Sequence, residues 1–330
     1  MNGSRSFTSR SALMRLLAVL AALVMLMAAC GNDDEDDAAD PGDDDTTETT
    51  AADDGGDDGN GDDGNGDAAD GLLAELQDEG SITIGIANEV PFGFVDEDGE
   101  ATGIAPDVAK AVLAELGIDD VNAEVVEFGN LIGGLQAGQF DLIAAGMYIN
   151  ADRAEQILFS DPDYCIAEGL AVAEGNPEGI EDYGSFLDNA DITMAVATGT
   201  VEVGYAEDAG VPQGQIEEFG DIDSMYDALE AGEVNAVTGT AATVGRQVDA
   251  RSGIEAVEPF FPVDAEGNEV LPCGGYGFRN ENQDFRDAFN DVLNGFREDG
   301  TTMEIIAAYE DFSEADVEKA NELTVDDFLG

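Results

Sequence analysis

Residues 146–153 read GMYINADR and end in an arginine. The chain carries 75 Asp and Glu against 11 Lys and Arg, so a basic side chain is a rare feature in it. Arg153 follows Asn150, a good helix cap, and is therefore predicted in the first turn of a helix. A cation at that end opposes the helix dipole by about 0.3–1 kcal/mol, which Asp152 partly offsets. Its guanidinium fork can hold a carboxylate through two parallel hydrogen bonds. The ordinary alternative is a structural ion pair. Phe92, Phe128 and Tyr148 each lie just after a predicted strand, where ligands sit in open α/β sheets. Any one of them taken alone would read as core packing. Glu89, in ANEVPF, leaves the first strand either as a ligand-facing carboxylate or as one more exposed acid. Thr198, Gly199 and Thr200 mark a strand-to-helix junction. Free N–H groups there would favour an anion, and either threonine could simply cap the helix. Histidine and tryptophan are absent, which excludes His-based catalysis and His-ligated metal. No calcium-loop pattern is present, and no positioned acid–base pair is identifiable. Neither a cofactor nor a metal is expected, and the chain does not read as an enzyme.

These residues need strands to hold them. SITIGIAN (81–88) alternates like a strand, and 105–116 is a helix with Pro106 in its first turn and Gly117 beyond its end. Residues 121–128 form a strand, 130–137 a short helix ended by Gly138, and 140–145 a third strand. This β-α-β-α-β order predicts a parallel sheet covered by helices. The order recurs as strand 192–197, helix 199–209, strand 216–219, helix 222–231 and strand 234–237. FGNLIGGLQAGQFDLIAAG at 128–146 is echoed by FGDIDSMYDALEAGEVNAVTG at 219–239. Two lobes of similar build follow, with a ligand cleft expected at their boundary. An amphipathic helix spans 283–299, and a last helical region runs from 303 to about 328.

The first thirty residues read as an export signal. Arg5, Arg10 and Arg15 precede a short apolar run that ends in Ala28, Ala29 and Cys30. The run falls short of the roughly 20 residues of a membrane span. Residues 31–70 hold no Lys, Arg or aromatic residue, and so predict a disordered, self-repelling tether. The formal net charge of −64 argues against nucleic acid as a partner, because phosphate binding needs a basic surface. Such self-repulsion is tolerable in a salty environment, where the Debye length falls to about 3 Å at 1 M. Cys165 and Cys273 could pair in an exported domain or stay as buried thiols, and spacing does not choose between these.

LMAAC, ending at Cys30, resembles the lipobox of bacterial lipoproteins. Across 76–330, GMYINADR, FSDPDY (159–164), LQAGQFD and GYGFRNENQDFRDAFNDVL together resemble the solute-binding proteins of polar amino-acid-type ABC importers. IANEVPFGF, FSDPDYCIAEGL and GNPEGIEDY are most similar to ectoine/hydroxyectoine binders within that group. The resemblance implies a non-enzymatic α/β protein with a two-lobed, periplasmic-binding-protein-like (type II) clamshell. Each lobe would be a mostly parallel sheet flanked by helices, with two crossover strands between them. The implied organisation is a signal peptide at 1–29, then lipidated Cys30 and its tether at 30–70. Lobe 1 would comprise 71–165 and 279–330, and lobe 2 would comprise 166–278. The implied ligand is a small zwitterionic osmolyte, and the implied partners are permease subunits and, through the lipid, the outer face of the cell membrane. The protein would act as a monomer. Arg153 would take the ligand carboxylate, and Phe92, Phe128 and Tyr148 would wall a delocalised cation at about 0.5–2 kcal/mol each. Glu89 would balance that cation, and 198–200 would complete the anion site. Amino-acid binders of the family commonly place an Asp where this chain has Thr240, a departure that favours ectoine over an α-amino acid. Cys165 and Cys273 would lie on the two crossover strands and pair. The alternatives are a polar or cyclic amino-acid binder, or an exported dehydratase on the same fold.

Overall fold

A computed structural model describes residues 71–329. The signal segment, Cys30 and the tether lie outside the described residues. In chain order the strands are β1 (Ser81–Ile86), β2 (Phe94–Val95), β3 (Ala101–Thr102), β4 (Asp120–Val125), β5 (Leu142–Tyr148), β6 (Leu158–Phe159) and β7 (Tyr164–Cys165). They continue as β8 (Glu168–Ala173), β9 (Met194–Ala197), β10 (Ile216–Phe219), β11 (Ala236–Thr240), β12 (Ile254–Ala256) and β13 (Cys273–Phe278). Two sheets organise them. The first runs β4-β1-β5-β13-β6, with β7 also pairing β13. The second runs β10-β9-β11-β8-β12. In each, three strands are parallel and the next is antiparallel. The repeat at 128–146 and 219–239 maps onto equivalent helix–strand units, one per sheet, and the strand expected at 121–128 ends at Val125, with Phe128 opening a 3-10 turn.

Both β1 and β5 are central strands, buried on both faces for most of their length. β5 runs past its expected end at 145 to Tyr148, because Met147 and Tyr148 pair with Gly275 and Gly274 of β13. That partner lies far away in sequence and left no local sign. The helix Ile104–Glu115 turns Ile104, Val108 and Val112 inward at the four-residue spacing of one helix face. Its first free N–H groups are satisfied by the preceding loop: Ile104 donates to Pro91 O and Ala105 to Phe92 O, each at 3.0 Å. Gly103, at φ 117°, allows this approach, since a Cβ there would lie 2.6 Å from the Phe92 carbonyl.

The expected helix 199–209 starts later, at Glu202, and ends at Asp208. Gly199 takes φ 80° and turns the chain before helical geometry begins. The helix Gln283–Asp299 matches its prediction and buries Phe285, Phe289 and Leu293. The last helical region is not continuous. It divides into Thr301–Ile306, Glu314–Ala320 and a 3-10 turn Val325–Phe328. Capping boxes at Ser313 and Thr324 each start a new segment.

Candidate functional site

The loops leaving β1 and β4 face residues 197–202, 220–226 and 238–247 on the second sheet's side. Between them lies a cavity of about 510 Å³. A smaller space of about 30 Å³ adjoins it around Arg153. Glu89, Phe128, Thr200 and Glu202 line both. Phe92, Tyr148 and Thr240 line the smaller one.

Arg153 sits in the one-turn helix Ala151–Ala154, where Asn150 caps as expected: its Oδ1 accepts the Arg153 N–H at 2.9 Å. The guanidinium Nη1 donates to the Tyr148 carbonyl at 2.7 Å, and Nη2 donates across the cleft to the Gly199 carbonyl at 3.1 Å. The guanidinium also lies 5.4 Å from the Phe128 ring centroid. The side chain is only 7% exposed. Arg246, Arg251, Arg279, Arg286 and Arg297 each hold a carboxylate at 2.7 to 3.6 Å. Arg153 alone among the described arginines has no such partner. Burial lowers its pKa from the ordinary value, and the field of Glu202 opposes that shift.

Glu89 accepts a 2.6 Å hydrogen bond from the Thr243 hydroxyl of the opposite lobe. Burial pushes its carboxyl up to about 7, against the Thr243 hydrogen bond and with help from Glu202. Phe92 is held at 5.4 Å from Tyr164 and edge-on to Phe312 at 5.7 Å. Gly146, at φ 67°, leaves room for its ring, which any Cβ there would strike. Tyr148 adjoins Tyr164 at 6.2 Å.

Residues 198–200 sit at the cleft in a different guise from the one expected. The Thr198 N–H donates to Phe219 O at 2.8 Å, and the Thr200 N–H donates to Ala197 O at 3.3 Å. The Thr200 hydroxyl is also turned back to Ala197 O at 2.8 Å. Gly199 presents its carbonyl, which receives Arg153. The segment thus offers an acceptor rather than a row of helix-terminal donors, because the helix begins three residues later. Thr240 caps the helix Ala241–Ala250 by accepting the Thr243 N–H at 3.1 Å.

Two residues at the site escaped the sequence reading. Thr243 is one, and its signal was the T-x-x-T spacing that follows β11. Glu202 is the other, an acid in the first turn of its helix, 6% exposed, with Oε2 lacking a hydrogen-bond partner. A third carboxyl, Glu168, is fully buried at the start of β8 with neither oxygen hydrogen-bonded. Burial, with Glu202 and Glu89 nearby, pushes it well above the usual carboxylate range.

Cys165 and Cys273 are cross-strand partners on β7 and β13 and are joined by a disulfide, S–S 1.99 Å. Among the described residues no group of three or more His, Cys, Asp or Glu is arranged to hold a metal ion. Chemically, the cleft offers one unpaired guanidinium, aromatic faces, and a carboxylate from each lobe. That combination suits a solute bearing both charges.

Comparison with known proteins identifies the family. Residues 82–312 match the sequence model of the bacterial extracellular solute-binding proteins, family 3. A probable amino-acid ABC transporter periplasmic-binding protein of Sinorhizobium fredii is 33% identical over 239 residues, covering 72% of this chain and 79% of that protein. The glutamate-binding protein GluB of Corynebacterium glutamicum is 28% identical over 249 residues, covering 72% and 80%. Among solved structures, EhuB in complex with hydroxyectoine is 33% identical with a TM-score of 0.71, covering 78% of this chain and 98% of that one.

Proposed function

The chain belongs to family 3 of the bacterial extracellular solute-binding proteins, and from that premise we propose that it captures ectoine or hydroxyectoine for an ABC importer. It has the family's type II periplasmic-binding-protein fold. The observation that carries the ligand reading is Arg153, a buried guanidinium with no carboxylate partner in an acid-rich chain. An unpaired buried charge is costly. A ligand carboxylate removes that cost. Phe128 and Tyr148 supply faces for a spread cation, and Glu89 supplies the opposing charge. The likeness to the hydroxyectoine-bound EhuB supports the same reading.

In this proposal the lobes comprise 71–165 with 273–330, and 166–272; the boundary expected at 278 moves back because β13 pairs with β5 and β6 inside the first sheet. They close on the zwitterion, and a lipid on Cys30 tethers the monomer outside the cell membrane beside its permease. The protein delivers its solute unchanged.

A second reading, a polar amino acid, is favoured by the names of the curated relatives. Glu89 and Glu202 count against an anionic amino acid, since a second ligand carboxylate would meet like charge. Thr240 leaves an α-ammonium without a carboxylate at that position. Titration calorimetry at high salt distinguishes these readings. Ectoine or hydroxyectoine is expected to give heat and a thermal shift. Binding of a polar amino acid with no response to either osmolyte would overturn the proposal. Arg153→Ala is expected to abolish binding, and unchanged affinity would remove its assigned role.

A further inference from the structure

We infer that Glu202 is a specificity-determining residue: it is the carboxylate by which the second lobe takes the ligand's cation, so that closure selects for positive charge. This rests on the reading above that the ligand is a zwitterion anchored at Arg153. Glu202 lines both the space around Arg153 and the 510 Å³ cavity. It is more than nine-tenths buried, and its Oε2 has no hydrogen-bond partner. A buried carboxylate oxygen left without a donor is costly, and a bound cation supplies what it lacks. Arg153 feels the charge of Glu202 but donates instead to the Tyr148 and Gly199 carbonyls, so it leaves that oxygen without a donor.

The larger cavity reinforces the selection. Glu89, Glu127, Asp221 and Asp223 line it along with Glu202, and no Lys or Arg does. An approaching solute therefore crosses a field of one sign, which concentrates cations and disfavours dicarboxylates. Glu89 lies on the first lobe and already accepts from Thr243. Glu202 lies on the second, so the ligand's cation would be shared between the lobes. Glu202 starts its helix on the second lobe and lines the same space as Thr240.

The test is calorimetry on the full protein with ectoine, histidine and glutamate as probes, using wild type, Glu202→Gln and Glu202→Asp. Thermal unfolding of the free variants reports whether each folds. Glu202→Gln is expected to bind the cation-bearing probe about tenfold to a hundredfold more weakly than wild type, the scale of one charged hydrogen bond. It is also expected to discriminate less against glutamate. Glu202→Asp is expected to recover part of both. A folded Glu202→Gln that binds the same probe within twofold of wild type, with unchanged rejection of glutamate, overturns the inference. If wild type binds histidine but not ectoine, the ectoine proposal fails. The Glu202 inference would then be judged by the same ratio measured with histidine.

Discussion

With Glu89 facing the solute's cation as proposed, binding is expected to depend on pH. Its carboxyl is pushed up to about 7 in the unliganded cleft. A cation beside it favours the ionised form, so the proton must leave before the charge pair forms. Affinity for a cation-bearing solute is expected to rise with pH through about 7, by up to about tenfold per unit below that point, and to level off above it. Calorimetry from pH 5.5 to 8.5 in buffers of different ionisation heat checks both the trend and the proton release. Glu89→Gln is expected to flatten the profile, and a flat wild-type profile would contradict this role. Arg153 was legible in the sequence because its signals are local: a capping Asn150 three residues earlier and a scarcity of bases. Glu202 was not, because which side of a short helix faces the cleft depends on where Gly199 lets that helix begin.

The FSDPDY segment serves the packing of elements rather than the solute. Asp161 accepts from Asn290 Nδ2 at 2.9 Å, Asn294 Nδ2 at 2.8 Å and the Val325 N–H at 2.8 Å, with Arg297 3.6 Å away. Those donors hold its pKa below the ordinary value despite partial burial. One carboxylate thereby fastens the helix Gln283–Asp299 and the C-terminal turn onto the first sheet. Asp161→Ala is expected to destabilise by about 1–3 kcal/mol, since it leaves the Asn290 and Asn294 amides and the Val325 N–H without their acceptor. Urea unfolding measures this, and a loss under about 1 kcal/mol would refute it. Asp163, two residues on, is buried beside the Tyr276 hydroxyl at 2.7 Å, and burial pushes it up to about 7. A carboxyl whose folded pKa is raised contributes stability at low pH and loses it as pH rises. The window runs from about 4 to about 7, with a slope of up to about 1.4 kcal/mol per unit from this group. Glu89 and Glu168 act in the same direction. Unfolding at 1 M salt, which screens the surface charge, should retain this slope, and Asp163→Asn should reduce it.

Across the whole molecule, two kinds of tie hold the lobes in place. Where the chain leaves the first sheet and re-enters it, the disulfide between Cys165 on β7 and Cys273 on β13 closes off the 108-residue span that carries the second sheet. Removing it with Cys165→Ser and Cys273→Ser is expected to cost about 2–5 kcal/mol of stability. Solute affinity should stay within a few-fold, because neither cysteine lines the cleft. Denaturant unfolding and calorimetry on the double variant check both parts, and a lost affinity would show that the tie also sets the closed geometry. The side-chain ties between the lobes are polar: Arg153 to Gly199 and Thr243 to Glu89 at the cleft, and, outside its lining, the two-pronged pair of Arg246 with Asp311, whose closest contacts are 2.7 Å. The last is partly exposed and contributes about 0–1 kcal/mol. Such contacts can be exchanged for those of a solute without dismantling either core.

The residues by themselves determined the doubled β-α-β-α-β plan, the cap that sets Arg153 in its turn and the exclusion of histidine chemistry. These depend on hydrophobic period, glycine and proline punctuation and composition, all of which act over a few residues. Only the tertiary structure decided the rest. The pairing of β5 with β13 carried Tyr148 into the cleft, and the turn at Gly199 replaced amide donors with a carbonyl. Closure brought Glu89 to Thr243 and left Glu202 facing the cavity. Each of these depends on groups far apart in the chain, whose meeting is fixed by packing rather than by their neighbours in sequence.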